Sequence, residues 1–176
     1  THFSIALLDL SNFKAFNNHY SHIVGDQVLI MFAEILRRHL KTGANFAGHI
    51  GGDDFILVMP SDDCLNLLRS IFAEFEHKIS KFYSEKDLEQ GGIHKIDMNG
   101  HKELIGFISL SAGVISIEDE YYDSFHTLLA ELIKLKPLVK NNKGVCLAHK
   151  SKESIQSYLF ENGEFLPEKQ SVQDNE

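Results

Sequence analysis

Phe46-Ala47-Gly48-His49-Ile50-Gly51-Gly52-Asp53-Asp54-Phe55-Ile56-Leu57-Val58-Met59-Pro60 is a pair of apolar runs joined by a Gly-Gly-Asp-Asp corner, and it reads as a β-hairpin with acid at its tip. Glycine tolerates positive φ and leaves the backbone bare, so Gly51 and Gly52 let a phosphate approach the main chain while Asp53 and Asp54 face the same space. Adjacent carboxylates are costly to ionise together unless a cation sits beside them. An ordinary turn uses the same residue types, so the corner alone decides nothing. An earlier stretch tips the balance. In Ile5-Ala6-Leu7-Leu8-Asp9-Leu10-Ser11-Asn12-Phe13-Lys14-Ala15-Phe16-Asn17-Asn18 an apolar strand again ends in an acid, with Lys14 and Asn17 shortly after it. Laid side by side in one sheet, the two strands bring Asp9 and Asp53 to one edge as a two-carboxylate site for a divalent cation, with a lysine nearby. Such a site suits nucleotide phosphates, because Mg²⁺ is usually held by one or two carboxylates plus phosphate oxygens.

The bulk numbers narrow the class. A chain of 176 residues with 43% hydrophobic and 24% charged content fits one globular domain with a sizeable core. A net charge of −8 argues against a non-specific nucleic-acid binder, so a phosphate site must be a local pocket. No apolar run reaches the length of a membrane span and no charged-then-apolar leader opens the chain, so no membrane segment is expected. Cys64 and Cys146 stand far apart in apolar contexts and read as reduced packing residues of a cytoplasmic protein. The ten histidines include His19 and His22 at helical spacing, but no third ligand follows at a familiar interval, and surface histidine is the reading.

Along the chain, residues 3–8 are apolar apart from Ser4, as in a strand buried on both faces. A loop holding Asn17, Asn18 and Gly25 leads to a helix from Asp26 to Leu40. After the hairpin, Pro60-Ser61-Asp62-Asp63 starts a second helix that runs to about Tyr83. Residues 84–103 form a polar excursion with a short strand from Ile93 to Asp97, and one central strand occupies Leu104 to Ile117. A third helix, Asp123 to Lys140, is kinked or ended by Pro137, and a short strand spans Gly144 to Ala148. A helix from Glu153 to Phe160 and a frayed acidic end complete the reading. The order predicts an α+β, ferredoxin-like core with a mixed sheet and helices on one face, as a domain over 1–149 and a tail over 150–176.

The run from Asp9 to His22 and on through Gly25-Asp26, followed by Gly51-Gly52-Asp53-Asp54-Phe55, resembles the GGDEF family of diguanylate cyclases. Ser109-Leu110-Ser111-Ala112-Gly113-Val114 is similar to that family's S-x-G-V strand, and the likeness extends from about Ile5 to Ala148. The resemblance implies a fold like nucleotide cyclases and polymerase palms, and a homodimer in which two GTP molecules, one on each facing domain, condense to cyclic di-GMP with loss of pyrophosphate. It further implies that Asp9 and Asp53 hold Mg²⁺, or Mn²⁺ in its place, with the Leu10 carbonyl assisting. Asn17 and Asp26 would hydrogen-bond the guanine edge, Lys14 would face the phosphates, and Gly51 and Gly52 would admit them to the backbone. Asp54 would help activate the 3′-hydroxyl or bind metal, and Lys140 matches the lysine of the closing A-K-x-x-G-R-N motif.

Several positions depart from the family pattern. Ser11 and Asn18 stand where aspartates are usual, Ser21 where glycine is, and His49 where arginine precedes the glycines; the closing motif lacks its arginine and asparagine. The GGDDF signature is one methylene short at its fourth position, and a misplacement of about 1 Å costs about 10²-fold in rate. The inhibitory R-x-x-D motif falls on Thr42-Gly43-Ala44-Asn45 and is absent, so feedback through it is not expected. The family's D-x-L-T-G-L-x-N-R segment would precede Thr1. The polar stretch at residues 82–87 with Asn99-Gly100 looks like a subgroup found behind EAL or CBS domains, so the chain reads as a domain cut from such a protein. Two other readings stay open here. One is a degenerate GGDEF module that binds GTP, or nothing, and regulates an attached phosphodiesterase or a partner; the other is a ferredoxin-like domain whose acids are turn residues.

Overall fold

The structure is a computed structural model that describes residues 2–40, 45–96, 100–117, 122–139, 143–149 and 154–168. Its centre is strand β1, Phe3–Ser11, in which both faces are apolar. Both of its edges are paired as well. It pairs antiparallel with β3 (Asp54–Pro60) on one side and with β6 (Ser109–Ile117) on the other. Beyond β3 lies β2 (Phe46–Gly51), antiparallel; beyond β6 lies β7 (Gly144–His149), parallel. Strands β8 (Ser154–Glu161) and β9 (Glu164–Pro167) complete a sheet of order β2-β3-β1-β6-β7-β8-β9. A separate two-stranded sheet is formed by β4 (Ile93–Ile96) and β5 (Lys102–Ile105).

Side-chain alternation divides the core. Ala6, Leu8 and Leu10 face helices α1 (Phe13–Tyr20), α2 (His22–His39) and α3 (Cys64–Ile79), where Phe32 meets Phe55 and Phe75 edge to face at 4.8 and 5.4 Å. Ile5 and Leu7 point to the other face, against Leu128, Leu132 and Leu135 of helix α5 (Phe125–Leu135). Helices therefore cover both faces, not one as the element order predicts, and the acidic ends of β1 and β3 fall on the α5 side. This follows from β1 itself: a strand with apolar residues on both faces, Ala6, Leu8 and Leu10 on one and Ile5 and Leu7 on the other, cannot leave one face to water.

Four other expectations are corrected. The segment read as a loop through Asn17 and Asn18 is helix α1, and α2 begins at His22, four residues before Asp26. The apolar run from Leu104 to Ile117 is two strands in different sheets, because the Asn12 amide donates to the Gly106 and Phe107 carbonyls (3.1 and 3.3 Å) and the Ile108 N–H donates to the Tyr83 hydroxyl (2.8 Å). Within the polar excursion, a short helix α4 (Glu85–Glu89) buries Asp87 under Ser84, Gln90, His19 and the Tyr20 hydroxyl. The predicted tail helix is strand β8. Tyr158 and Phe160 alternate inward, and Asn162 and Gly163 take φ of 51° and 82°, the paired positive values of a tight hairpin turn. Pro137 ends regular α5 at Leu135, and a 3₁₀ turn follows over Lys136–Leu138.

Candidate functional site

The register of β1 against β3 sets Asp9 directly opposite Asp54. Both belong to the α5 face, in line with Ile5 and Leu7 on one strand and Ile56 and Val58 on the other. Lys136, the first residue past α5, reaches between them: its ammonium donates to Asp9 Oδ1 and to Asp54 Oδ1, each at 2.9 Å. Burial pulls the Lys136 pKa down, but the hydrogen bonds to Asp54 and Asp9 outweigh it and leave it raised. Asp53 sits at the turn just before β3, and its carbonyl accepts from the Leu10 N–H at 3.4 Å. Burial, followed by the charges of Asp9 and Asp54, raises the Asp53 carboxyl above the ordinary carboxylate range. Among the described residues, three carboxylates thus share one sheet edge with the Lys136 ammonium, a cluster short of positive charge.

The hairpin tip is shaped by its glycines. Gly51 and Gly52 have φ of 153° and 59°, and no atom lies within 4 Å of where a side chain at either would begin. The His49 ring stacks on Phe55 at 4.5 Å and donates from Nε2 to the Gly52 carbonyl at 3.0 Å, which fastens the turn.

The helical side of the site is built by close approach. Asn12 enters α1 with φ 66°, and Ser21 links α1 to α2 with φ 101°, a conformation that favours glycine. Gly25, buried in α2, leaves no room for a side chain: a Cβ there would lie 1.8 Å from Asn17 Oδ1. Asn17 Oδ1 is itself buried and, among the described residues, has no hydrogen-bond partner. A buried acceptor left unpaired costs about 1–3 kcal/mol, a cost that a water or ligand partner would relieve. Asp26, exposed, follows Gly25 at the same corner. Lys14, also exposed, lines a 440 Å³ cleft with Asn18, His19, His94 and Lys95 on the β4 side of α1.

The structure therefore groups Asp9, Leu10, Asp53, Asp54, Gly51 and Gly52 at one sheet edge, and Asn17 with Asp26 at the α1–α2 corner. Lys14 stands on the flank of α1. Lys140 lies outside the described residues. Lys136 is the residue that sequence reasoning missed. A signal for it existed: Pro137 stops α5, and α5 follows β6, the neighbour of β1, so the helix end returns over the acidic end of β1. Among the described residues no group of three or more His, Cys, Asp and Glu is gathered as a metal cage. Two opposed carboxylates with a third beside them fit instead a Mg²⁺ whose shell is completed by phosphate oxygens.

The fold is that of solved GGDEF domains. The GGDEF domain of DgcB from Caulobacter crescentus, crystallised in complex with c-di-GMP, matches with a TM-score of 0.56 and 23% identity over 84% of this chain and 78% of that one. A family model described as "Diguanylate cyclase, GGDEF domain" matches residues 1–132, and the chain belongs to the GGDEF family. Diguanylate cyclase VdcA of Vibrio cholerae is 30% identical over 122 residues, 69% of this chain and 32% of VdcA. Diguanylate cyclase DgcP of Pseudomonas aeruginosa is 37% identical over 57 residues, 32% of this chain and 8% of DgcP. The chain thus spans a third or less of the length of these two relatives. No helix among the described residues is long and apolar enough to cross a membrane.

Proposed function

We propose that this domain binds GTP and, facing a second copy of itself, joins two GTP molecules into cyclic di-GMP. The 3′-oxygen of each nucleotide forms a bond to the α-phosphorus of the other, the bond to the bridging oxygen breaks, and pyrophosphate leaves; this happens twice per product. The observation that carries the reading is the convergence of Asp9, Asp53 and Asp54 at the joined ends of β1 and β3. Asp9 and Asp53 would hold Mg²⁺ or Mn²⁺, which when bound offsets charge on the α-phosphate and leaving group. The bare turn at Gly51 and Gly52 admits the phosphates to the backbone. Asn17, four residues into α1 and so about 6 Å further along the helix axis, offers its unpaired oxygen to the guanine edge with Asp26 beside it. Asp54 takes the proton of the attacking hydroxyl. In a longer protein the domain would answer to attached sensory or phosphodiesterase modules of the EAL or CBS kind.

The test is product analysis. The chain at high concentration is incubated with GTP and Mg²⁺, and cyclic di-GMP and pyrophosphate are resolved by chromatography for wild type and Asp53→Ala. Product from wild type alone supports the proposal. GTP binding without product supports the regulatory reading instead, and no GTP binding refutes the proposal and leaves only a regulatory module that works without nucleotide.

A further inference from the structure

The Lys136 ammonium is equidistant, at 2.9 Å, from one oxygen of Asp9 and one of Asp54, the two residues that face each other across β1 and β3. It fills the space between the opposed carboxylates. We propose that Lys136 is a resident cation competing with the divalent metal for these carboxylates, so that metal enters only as the ammonium swings out. The inference rests on the metal reading above.

Two features make the exchange one of side chain rather than fold. The Lys136 backbone is fixed, since it directly follows α5, precedes Pro137 with its locked φ, and is anchored through Val139, 2% exposed in the α5-side core. Its four-carbon stem is flexible and its side chain is 20% exposed, so the ammonium has a route to solvent. A metal bound to Asp9 would sit about 2.0–2.1 Å from its oxygen. The ammonium now on that carboxylate would then keep only Asp54 and stand next to a doubly charged ion, and like charges repel at that range.

The charge count gives the consequence. Asp9, Asp53 and Asp54 with Lys136 sum to −2; a divalent ion in place of the ammonium leaves the site at −1, and the displaced ammonium has lost its carboxylate partners and needs another anion. A nucleotide's phosphates bring that anion together with the metal. The free protein therefore holds metal weakly, and metal and triphosphate bind cooperatively.

The experiment is Mn²⁺ titration of the nucleotide-free chain, read by the loss of the free-ion electron paramagnetic resonance signal, for wild type, Lys136→Met, Lys136→Arg and Lys134→Met. Lys134 is exposed on α5 and controls for loss of one positive charge near the site. Lys136→Met is expected to bind Mn²⁺ about tenfold more tightly than wild type, equivalent to about 1.4 kcal/mol of competition removed. Lys136→Arg and Lys134→Met are expected to match wild type. The enhancement of Mn²⁺ affinity by GTP should shrink in Lys136→Met. Should that variant melt early, Lys136→Gln makes the same comparison. Equal affinity in wild type and Lys136→Met, or equal tightening in Lys134→Met, overturns the competition while leaving the metal site standing. No Mn²⁺ binding by any variant overturns the metal reading and the competition together.

Discussion

Gly25→Ala separates folding from binding at the α1–α2 corner. The new Cβ would lie 1.8 Å from Asn17 Oδ1 and 2.8 Å from its Cγ, so the amide must leave its place. In a helix interior the change by itself gains about 0.5–1 kcal/mol, because glycine loses more conformational freedom on folding. Against that, overpacking costs about 1–3 kcal/mol, and less where the clashing group can rotate away. Asn17 is half-buried and has such freedom. The expected net loss of stability is thus about 0–2 kcal/mol. On the proposed guanine-binding role of Asn17, GTP affinity should fall much further in proportion, by about 10- to 100-fold, because its amide is displaced. Urea denaturation and calorimetric titration with GTP and Mg²⁺ measure the two effects on the same samples. The decisive control is Asn17→Ala: in that background the methyl added by Gly25→Ala has room, so the second substitution should stabilise by about 0.5–1 kcal/mol and cost no further affinity. A Gly25→Ala protein that binds GTP like wild type, or the same stability loss with and without Asn17, refutes the reasoning.

Ser21→Gly should stabilise the domain by about 0.5–2 kcal/mol, since φ 101° with ψ 158° strains any residue with a Cβ; a higher urea midpoint at unchanged slope confirms it, and a lower midpoint contradicts it. Glu74 bridges α2 and α3, and although burial pushes its carboxyl up, hydrogen bonds from Lys78, His39 and Arg38 hold it at about 2, below its ordinary 4.5. A depressed folded-state value means that this stabilisation is complete above about pH 4.5 and is lost as pH falls towards 2. At a partly exposed site it amounts to about 1 kcal/mol. Glu74→Gln should therefore flatten the stability profile across that window, measured by urea melts at pH 3 and pH 6.

How far the sequence reached depended on whether a feature is local. The uninterrupted apolar run of β1 and the Gly-Gly-Asp-Asp corner are local, and they placed Asp9, Asp53 and Asp54 at one sheet edge; the register adds that Asp54, not Asp53, is the residue directly opposite Asp9. Helices α2 and α3 declare themselves by apolar spacing. The split of residues 104–117 into two strands has no local signal, because its causes are the side chains of Asn12 and Tyr83, distant in sequence. Lys136 is likewise 127 residues from Asp9 and becomes a site residue only through the topology that carries α5 back over β1. The β8–β9 hairpin is different: its Asn-Gly turn stood in plain sight at residues 162–163, and a helix was expected because Ser, Gln and Glu between the apolar residues blur a period of two.

The most direct measurement of the central claim is calorimetric titration of GTP into wild type and Asp53→Ala, each with Mg²⁺ and with chelator. The claim that carboxylates at the end of β1 and in the turn before β3 cradle metal and triphosphate together predicts GTP binding to wild type that requires Mg²⁺, and at least about tenfold weaker binding to Asp53→Ala in its presence. Equal GTP affinity with and without Mg²⁺, or an unimpaired Asp53→Ala, would contradict it.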